Sequence, residues 1–287
     1  MATNNTESAC AEETYGCYVY GIAKCAAGLL SEGLPQEGID PSFPVYTLPY
    51  QAIQAIVSKV SLREFGLSVL EENLRDLSWL AGKAHRHEQI LEAVQERCTL
   101  IPLRLGIIFS SEDRVREILV EYHDLFAENL ARLEGKHEWG VKVYVNTTVL
   151  TKHLDELSDQ IHTLTEEMAT KSGGAAYVWK KRLENAITGE MERICDGCAQ
   201  LSHDRLQRHA SEACLNHLPE KESPDGSEIM ILNGAYLVTT EQRNAFGTGL
   251  AELEEEYGGY GVRYQLSGPW PPYNFVPSSL GKVEVNE

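Results

Sequence analysis

The side chains best suited to chemistry lie late in the sequence. Cys195-Asp-Gly-Cys198 is followed by Cys214 and His217, with His203 and His209 between them. Cys-x2-Cys with a later Cys-x2-His is a zinc-ligand spacing, because thiolate and imidazole pairs on adjacent turns can share one tetrahedral ion. The surrounding periodicity reads as one continuous helix, however, and that would hold the two pairs about five turns, roughly 25 Å, apart. Only a sharp turn between them would allow a common ion. Cys198 also falls on an apolar seam, where a free cysteine behaves as a small apolar side chain. The sequence therefore gives no metal assignment to Cys195, Cys198, Cys214 and His217.

Other chemical motifs fail on spacing or context. His85-Arg-His87-Glu88 is similar to a metalloprotease helix, but that chemistry needs His-Glu-x-x-His, and the position four after His87 is Leu91. His87 is read instead as hydrogen-bonded to a neighbour. Gly247-Thr-Gly249 and Gly258-Gly-Tyr-Gly261 lack the preceding strand and following helix that cradle a phosphate. No Gly-x-Ser-x-Gly elbow, Walker lysine or kinase signature is present. Glu71-Glu72 and Glu254-Glu255-Glu256 read as solvated helix faces. Arg104 is expected inside an apolar strand, where its guanidinium needs a carboxylate, a carbonyl or solvent, since burying it unpaired is costly. A structural ion pair is the simpler account and a partner-binding group the alternative. The residues thus suggest no catalytic, cofactor-binding or metal site, and they do not locate a partner-binding surface.

These groups must be held by a framework that composition already bounds. At 287 residues and 43% hydrophobic content the chain can bury a large core, and its length suits two domains. A formal charge of -18 makes nucleic acid and anionic membrane unfavourable partners. The first residues lack a signal-peptide pattern, and no apolar run reaches the length of a membrane span. Seven scattered cysteines suggest reduced thiols, and hence the cytoplasm.

Met1 to Glu13 is polar and expected to fray. Tyr15 to Ala23 reads as a strand, followed by a Gly- and Pro-rich loop over 28–44 and a short strand near Val45. Gln51 to Val60 fits helix or strand. Apolar residues from Leu70 to Cys98 predict an amphipathic helix, Leu100 to Phe109 an apolar strand, and Ser111 the cap of a helix ending near Gly135. From Trp139 a strand leads into Leu150, Leu154, Leu157, Ile161, Leu164 and Met168, a coiled-coil-like seam broken at Ser172-Gly173-Gly174. A second helix from about Tyr177 towards His217 makes an antiparallel hairpin, and its length requires a bend near Gly197 or a projecting tip. Pro219 to Gly226 is a polar loop. Glu228–Leu232, Asn233-Gly234 and Ala235–Thr239 read as strand, turn, strand, with one bulged strand as the competing reading. A helix over 240–257 and a strand over 261–266 complete the set. The fold class is α+β: an N-terminal domain over 1–137, a modified ferredoxin-like sandwich with an expanded helical hairpin over 138–268, and an extended tail over 269–287.

Several segments carry a family likeness. They are Tyr18-Val-Tyr-Gly-Ile22; Trp79 with His87-Glu88; Pro102-Leu-Arg104-x-Gly106 ending in Phe109; Glu138-Trp-Gly-Val-Lys-Val143; Ala235-Tyr-Leu-Val238; and Gly268-Pro-Trp-Pro-Pro-Tyr273 followed by Phe275. In this order they resemble the gas vesicle protein F/L family across almost the whole chain. The family usually has Phe and Thr where Leu105 and Ile107 stand here. The resemblance implies two α+β domains and a minor structural, assembly or nucleation role in building the gas-filled shells that give microbes buoyancy. It also implies contacts with the small hydrophobic shell protein and other accessory proteins, and it carries over no catalytic residue or cofactor. F and L paralogues are not separated by these residues, nor is the oligomeric state fixed. A different class of reading is a ferredoxin-like regulatory module that binds a small molecule or zinc. The aromatic tail is expected either to dock on the protein's own core or to present interface anchors.

Overall fold

A computed structural model describes residues 14–26, 33–219 and 227–277. The polar start, part of the early loop, most of the loop after Pro219 and the last ten residues lie outside the described residues. The chain divides into two compact units, one comprising Met1–Glu134 with Pro271–Glu287 and the other Gly135–Trp270.

The first unit is built on β1 (Tyr15–Lys24), whose residues from Gly16 to Ala23 are all buried, as expected for a strand covered on both faces. β2 (Val45–Tyr50) and β3 (Ile53–Ser61) form a hairpin on one side of it, so the segment compatible with helix or strand is a strand. Burial on alternate and adjacent positions of β3, from Ile53 through Val60, gives the reason: this segment lies inside the sheet with no solvent-facing stripe. Next come α1 (Leu62–Phe65), α2 (Leu67–Asn73) and α3 (Leu77–Gln95). The single helix expected here is interrupted because Asp76 caps α3, its carboxylate accepting from the Ser78 and Trp79 amides. His87, Ile90, Leu91 and Val94 form the buried face of α3.

β4 (Thr99–Pro102) and β5 (Ile108–Phe109) both pair with β1, replacing the one strand expected over 100–109. Between them Gly106 takes φ +90°, a left-handed conformation that turns the chain. Arg104 sits in this turn and is exposed, which corrects its expected place inside a strand. α4 (Glu112–Glu121) starts at the predicted cap Ser111, and α5 (His123–Leu133) follows a break at Tyr122. The sheet order is β2-β3-β1-β4, with β5 also on β1. The β1–β4 ladder ends at Lys24 opposite Thr99, which leaves Cys25 facing Cys98, and these two form a disulfide with Cα atoms 4.6 Å apart. That corrects the expectation that every cysteine is reduced. The pairing was hidden in the sequence because the partners are 73 residues apart.

The second unit opens with β6 (Lys136–Asn146), after Gly135 at φ +71° ends the preceding helix. α6 (Thr147–Leu157) and α7 (Asp159–Ala169) carry the predicted seam in two pieces. Ser158 separates them, its hydroxyl accepting from the Ile161 amide. After Gly173 at φ +62°, α8 (Gly174–Gln207) runs unbroken through Gly197. Its 34 residues rise about 50 Å; Leu183, Ala186 and Ile187 pack half-buried on the core, whereas residues 174–182 take no part in it, so the helix start extends past that core.

α8 stops short of the expected His217, because residues 212–215 leave it to form β7 (Glu212–Leu215) on the edge of the sheet. Glu228–Thr239 is one strand, β8, with a bulge opposite Val143 and Tyr144 of β6, so the bulged reading holds and the hairpin does not. Asn233-Gly234 makes no turn: a Cβ at Gly234 would lie 2.7 Å from the Tyr236 ring, and glycine there leaves room for it. α9 (Arg243–Tyr257) and β9 (Val262–Trp270) complete the unit, whose antiparallel sheet has the order β7-β8-β6-β9. Leu150, Leu154, Cys198, Leu206, Leu253 and Val143 are among the side chains of its core.

Candidate functional site

The Cys/His residues flagged by spacing do not converge. Cys195 and Cys198 are buried on α8, Cys214 is half-buried on β7, and His217 is in the segment after it. Among the described residues no group of three or more His, Cys, Asp and Glu side chains could hold a metal ion. The α8 cysteines instead belong to the core. Burial pushes the Cys195 thiol up to about 11 and raises that of Cys198, so both stay protonated at neutral pH. Cys198 Sγ lies 3.8 Å from the Tyr264 hydroxyl, which is also 2.9 Å from Ser202 Oγ. His203 Nδ1 is 3.1 Å from the Tyr236 hydroxyl. These contacts tie α8 to β8 and β9, and they account for polar atoms that would otherwise be costly to bury.

The same helix walls a cavity of about 310 Å³ with Leu150, Leu157, Ile194, Leu201 and Val262, together with the two cysteines. Its lining is apolar apart from Arg193, Tyr257 and Tyr260. Arg193 is already engaged, with Nε 3.0 Å and Nη2 2.6 Å from the Glu190 carboxylate. The space suits an apolar group and offers no nucleophile paired with a base.

In the first unit, His87 is 1% exposed. Its Nε2 lies 3.1 Å from the Leu103 carbonyl, which can only accept, so that nitrogen carries the proton. Nδ1 then accepts from the Tyr18 hydroxyl at 2.8 Å, and the Tyr18 oxygen accepts from the Gly106 amide at 3.1 Å. Burial lowers His87 to about 4 and raises Tyr18, so the relay is neutral near pH 7. It pins both sides of the turn that presents Arg104. His87 is therefore a structural hydrogen-bonding group, as its sequence context suggested, and nothing in the periodicity could have shown that its partner was Tyr18.

The glycine motifs also resolve into packing. Gly247 and Gly249 lie within α9, and Gly249 faces His209: a Cβ there would stand 3.6 Å from the imidazole. Gly261, at φ +87°, sits where a Cβ would come within 2.8 Å of Val149, so it permits close approach of α6. The aromatic tail returns to the first unit. Phe275 is buried, Tyr273 donates to Glu88 Oε1 at 2.9 Å, and Arg132 donates to the Phe275 carbonyl. Trp270, at the end of β9, is 40% exposed, and its indole donates to Ser267.

Comparison with known proteins places this architecture. The family described as gas vesicle synthesis protein GvpL/GvpF matches residues 16–277. Gas vesicle protein L of Streptomyces sp. (strain CB03234) is 31% identical over 273 residues, covering 94% of this chain and 95% of that protein. Gas vesicle protein F1 of Halobacterium salinarum (strain ATCC 700922 / JCM 11081 / NRC-1) is 25% identical over 270 residues, covering 93% and 96%. The crystal structure of GvpF from Anabaena sp. PCC7120 superposes with a TM-score of 0.68 at 20% identity, covering 92% of this chain and 99% of that one. That of GvpF from Microcystis aeruginosa gives 0.62 at 22% identity, covering 91% and 99%. At these identities the two crystal structures support the fold.

Proposed function

The chain belongs to the gas vesicle synthesis protein GvpL/GvpF family, and from that premise we propose that it is a non-catalytic accessory protein of gas vesicle formation, a minor structural or assembly and nucleation component. In this reading it acts in the cytoplasm and at the gas vesicle by binding the small hydrophobic shell protein and other accessory proteins. The observation that carries it is the match over residues 16–277, which spans both compact units. The geometry is compatible, because His87, Tyr18, Ser202 and Tyr264 are engaged in core hydrogen bonds and Cys195 and Cys198 are buried as protonated thiols. We further read the two units as domains. The strand order β7-β8-β6-β9, with α6 to α8 as the first crossover and α9 as the second, supports a modified ferredoxin-like fold for the C-terminal one.

The test is deletion of the gene in a gas-vesicle-forming host, with pull-down of tagged protein against each co-expressed gas vesicle protein. Loss or malformation of vesicles and recovery of the shell protein are expected. Normal vesicles with no gas vesicle protein recovered would overturn the proposal. The cavity beside Cys195 and Cys198 favours a second reading, a regulatory module for a small apolar molecule. Stoichiometric ligand retained by purified protein, displaced by filling the cavity with Gly197→Leu, would favour that reading; stoichiometric zinc lost in Cys195→Ser would favour the metal version.

A further inference from the structure

The N-terminal half of α8 departs from the character of the rest of the chain. Residues 171–182 contain Lys171, Lys180, Lys181 and Arg182 and no Asp or Glu, in a protein with 43 acidic residues against 25 basic ones. Tyr177 and Val178 stand here 72% and 65% exposed. Lys171 and Arg182 lie over the Trp179 ring, at 5.3 Å and 4.9 Å from its centroid, so the apolar and cationic groups form one patch.

Continued along the helix, this patch is one end of a stripe. Tyr177, Lys181, Asn185, Thr188, Glu192 and Asp196 follow one another at steps of four, four, three, four and four, the spacing of a single helix face, and all are exposed. The stripe is basic and aromatic at its start, neutral at Asn185 and Thr188, and acidic at Glu192 and Asp196. The other charges around it are largely taken up: Lys180 lies 3.9 Å from Glu184, and Arg193 is held by Glu190. Lys181, Glu192 and Asp196 are in none of the ion pairs among the described residues, those of this stretch being Lys180–Glu184 and Arg193–Glu190. Gly189, on the flank of the neutral centre, has nothing within 4 Å of where a Cβ would stand, so a neighbouring backbone can come close.

We propose that this face of α8 binds the same face of a second copy of the chain, the two helices running antiparallel. The spacing is symmetric about the midpoint between Ala186 and Ile187. A two-fold axis there sets Lys181 of one copy opposite Glu192 of the other, Tyr177 opposite Asp196, and Asn185 opposite Thr188. Each contact occurs twice, as a two-fold interface requires. A parallel pair would set Lys181 against Lys181 and Glu192 against Glu192. An unrelated acidic partner would meet the basic half favourably and the acidic half unfavourably. Charge complementarity along the stripe therefore selects a second copy.

Sedimentation velocity of the full chain tests this, read from micromolar concentration upward at physiological ionic strength. Salt titration is a poor test, because screening weakens both the specific pairs and the repulsion between two chains of charge -18. The expected result is a concentration-dependent shift to twice the monomer mass. Lys181→Glu and Glu192→Lys should each raise the dissociation constant by roughly tenfold or more, since each creates two like-charge contacts. The double variant carrying both changes should recover to within about threefold, because the pairs re-form with signs exchanged. Circular dichroism confirms that each exposed-site variant keeps its helix content. A wild-type chain that stays monomeric, single variants that pair as well as wild type, or a folded double variant that does not recover would each overturn the proposal.

Discussion

At the scale of single residues, the first unit depends on groups whose importance lies in what they hold. The relay from His87 through Tyr18 to Gly106 fixes the Arg104 turn, and it works only with a neutral imidazole. With His87 lowered from 6.5 to about 4, the unfolded chain takes up a proton that the folded chain refuses as pH falls through that window. Its contribution to stability is present above the unfolded value and is lost progressively between pH 6.5 and 4, up to roughly 3 kcal/mol from this group. Chemical denaturation at pH 7 and pH 4.5 should show a drop in wild type that is smaller in His87→Gln. An equal drop in both would remove His87 from the account. The chemistry of this residue was partly legible, since its spacing already argued against a metalloprotease site. Arg104 was not, because Pro-Leu-Arg-Leu-Gly fits an apolar strand until Gly106 is seen to adopt φ +90°.

At the scale of elements, periodicity found which segments are helical, and caps decided where they divide. The apolar seam from Leu150 to Met168 reads as continuous, yet Ser158 terminates α6 and caps α7. Its hydroxyl satisfies the Ile161 amide, an option that sequence alone weighs equally against a serine facing solvent. Ser158→Ala should cost about 1 kcal/mol in urea unfolding of the chain, whereas Ser158→Asn, which keeps an acceptor for the amide and puts no second charge beside Glu190, should retain most of the cap. A neutral alanine variant would show that packing of the seam alone sets the break. β7 was missed because Glu212–Leu215 has four residues and sits on an edge, too short for an alternating pattern to register against the helix before it. The Asn-Gly in β8 misled in the opposite direction: it is a strong turn signal, but Gly234 leaves room for the Tyr236 ring.

At the scale of the whole molecule, composition bounded the class and the ordered motifs indicated the family, whereas long-range pairings stayed hidden. Cys25 and Cys98 are the example. A bond across a separation of 73 residues restrains the unfolded chain by about 4 kcal/mol in the chain-entropy picture. Non-reducing peptide mass analysis should recover the Cys25–Cys98 pair, and Cys98→Ser should lower the denaturation midpoint of oxidised protein while leaving that of reduced protein nearly unchanged. The C-terminal strap gives a second whole-chain effect. Phe275→Ala removes a buried ring from the first unit and should cost about 3 kcal/mol there, seen as faster proteolysis within residues 14–134. The strap also orders events in time. During synthesis, Phe275 emerges only after every residue of Gly135–Trp270 has been made, so the unit that begins first is the one completed last. A released chain that ends at Trp270 should hold a protease-resistant second unit and a first unit more open to cleavage than in the full chain.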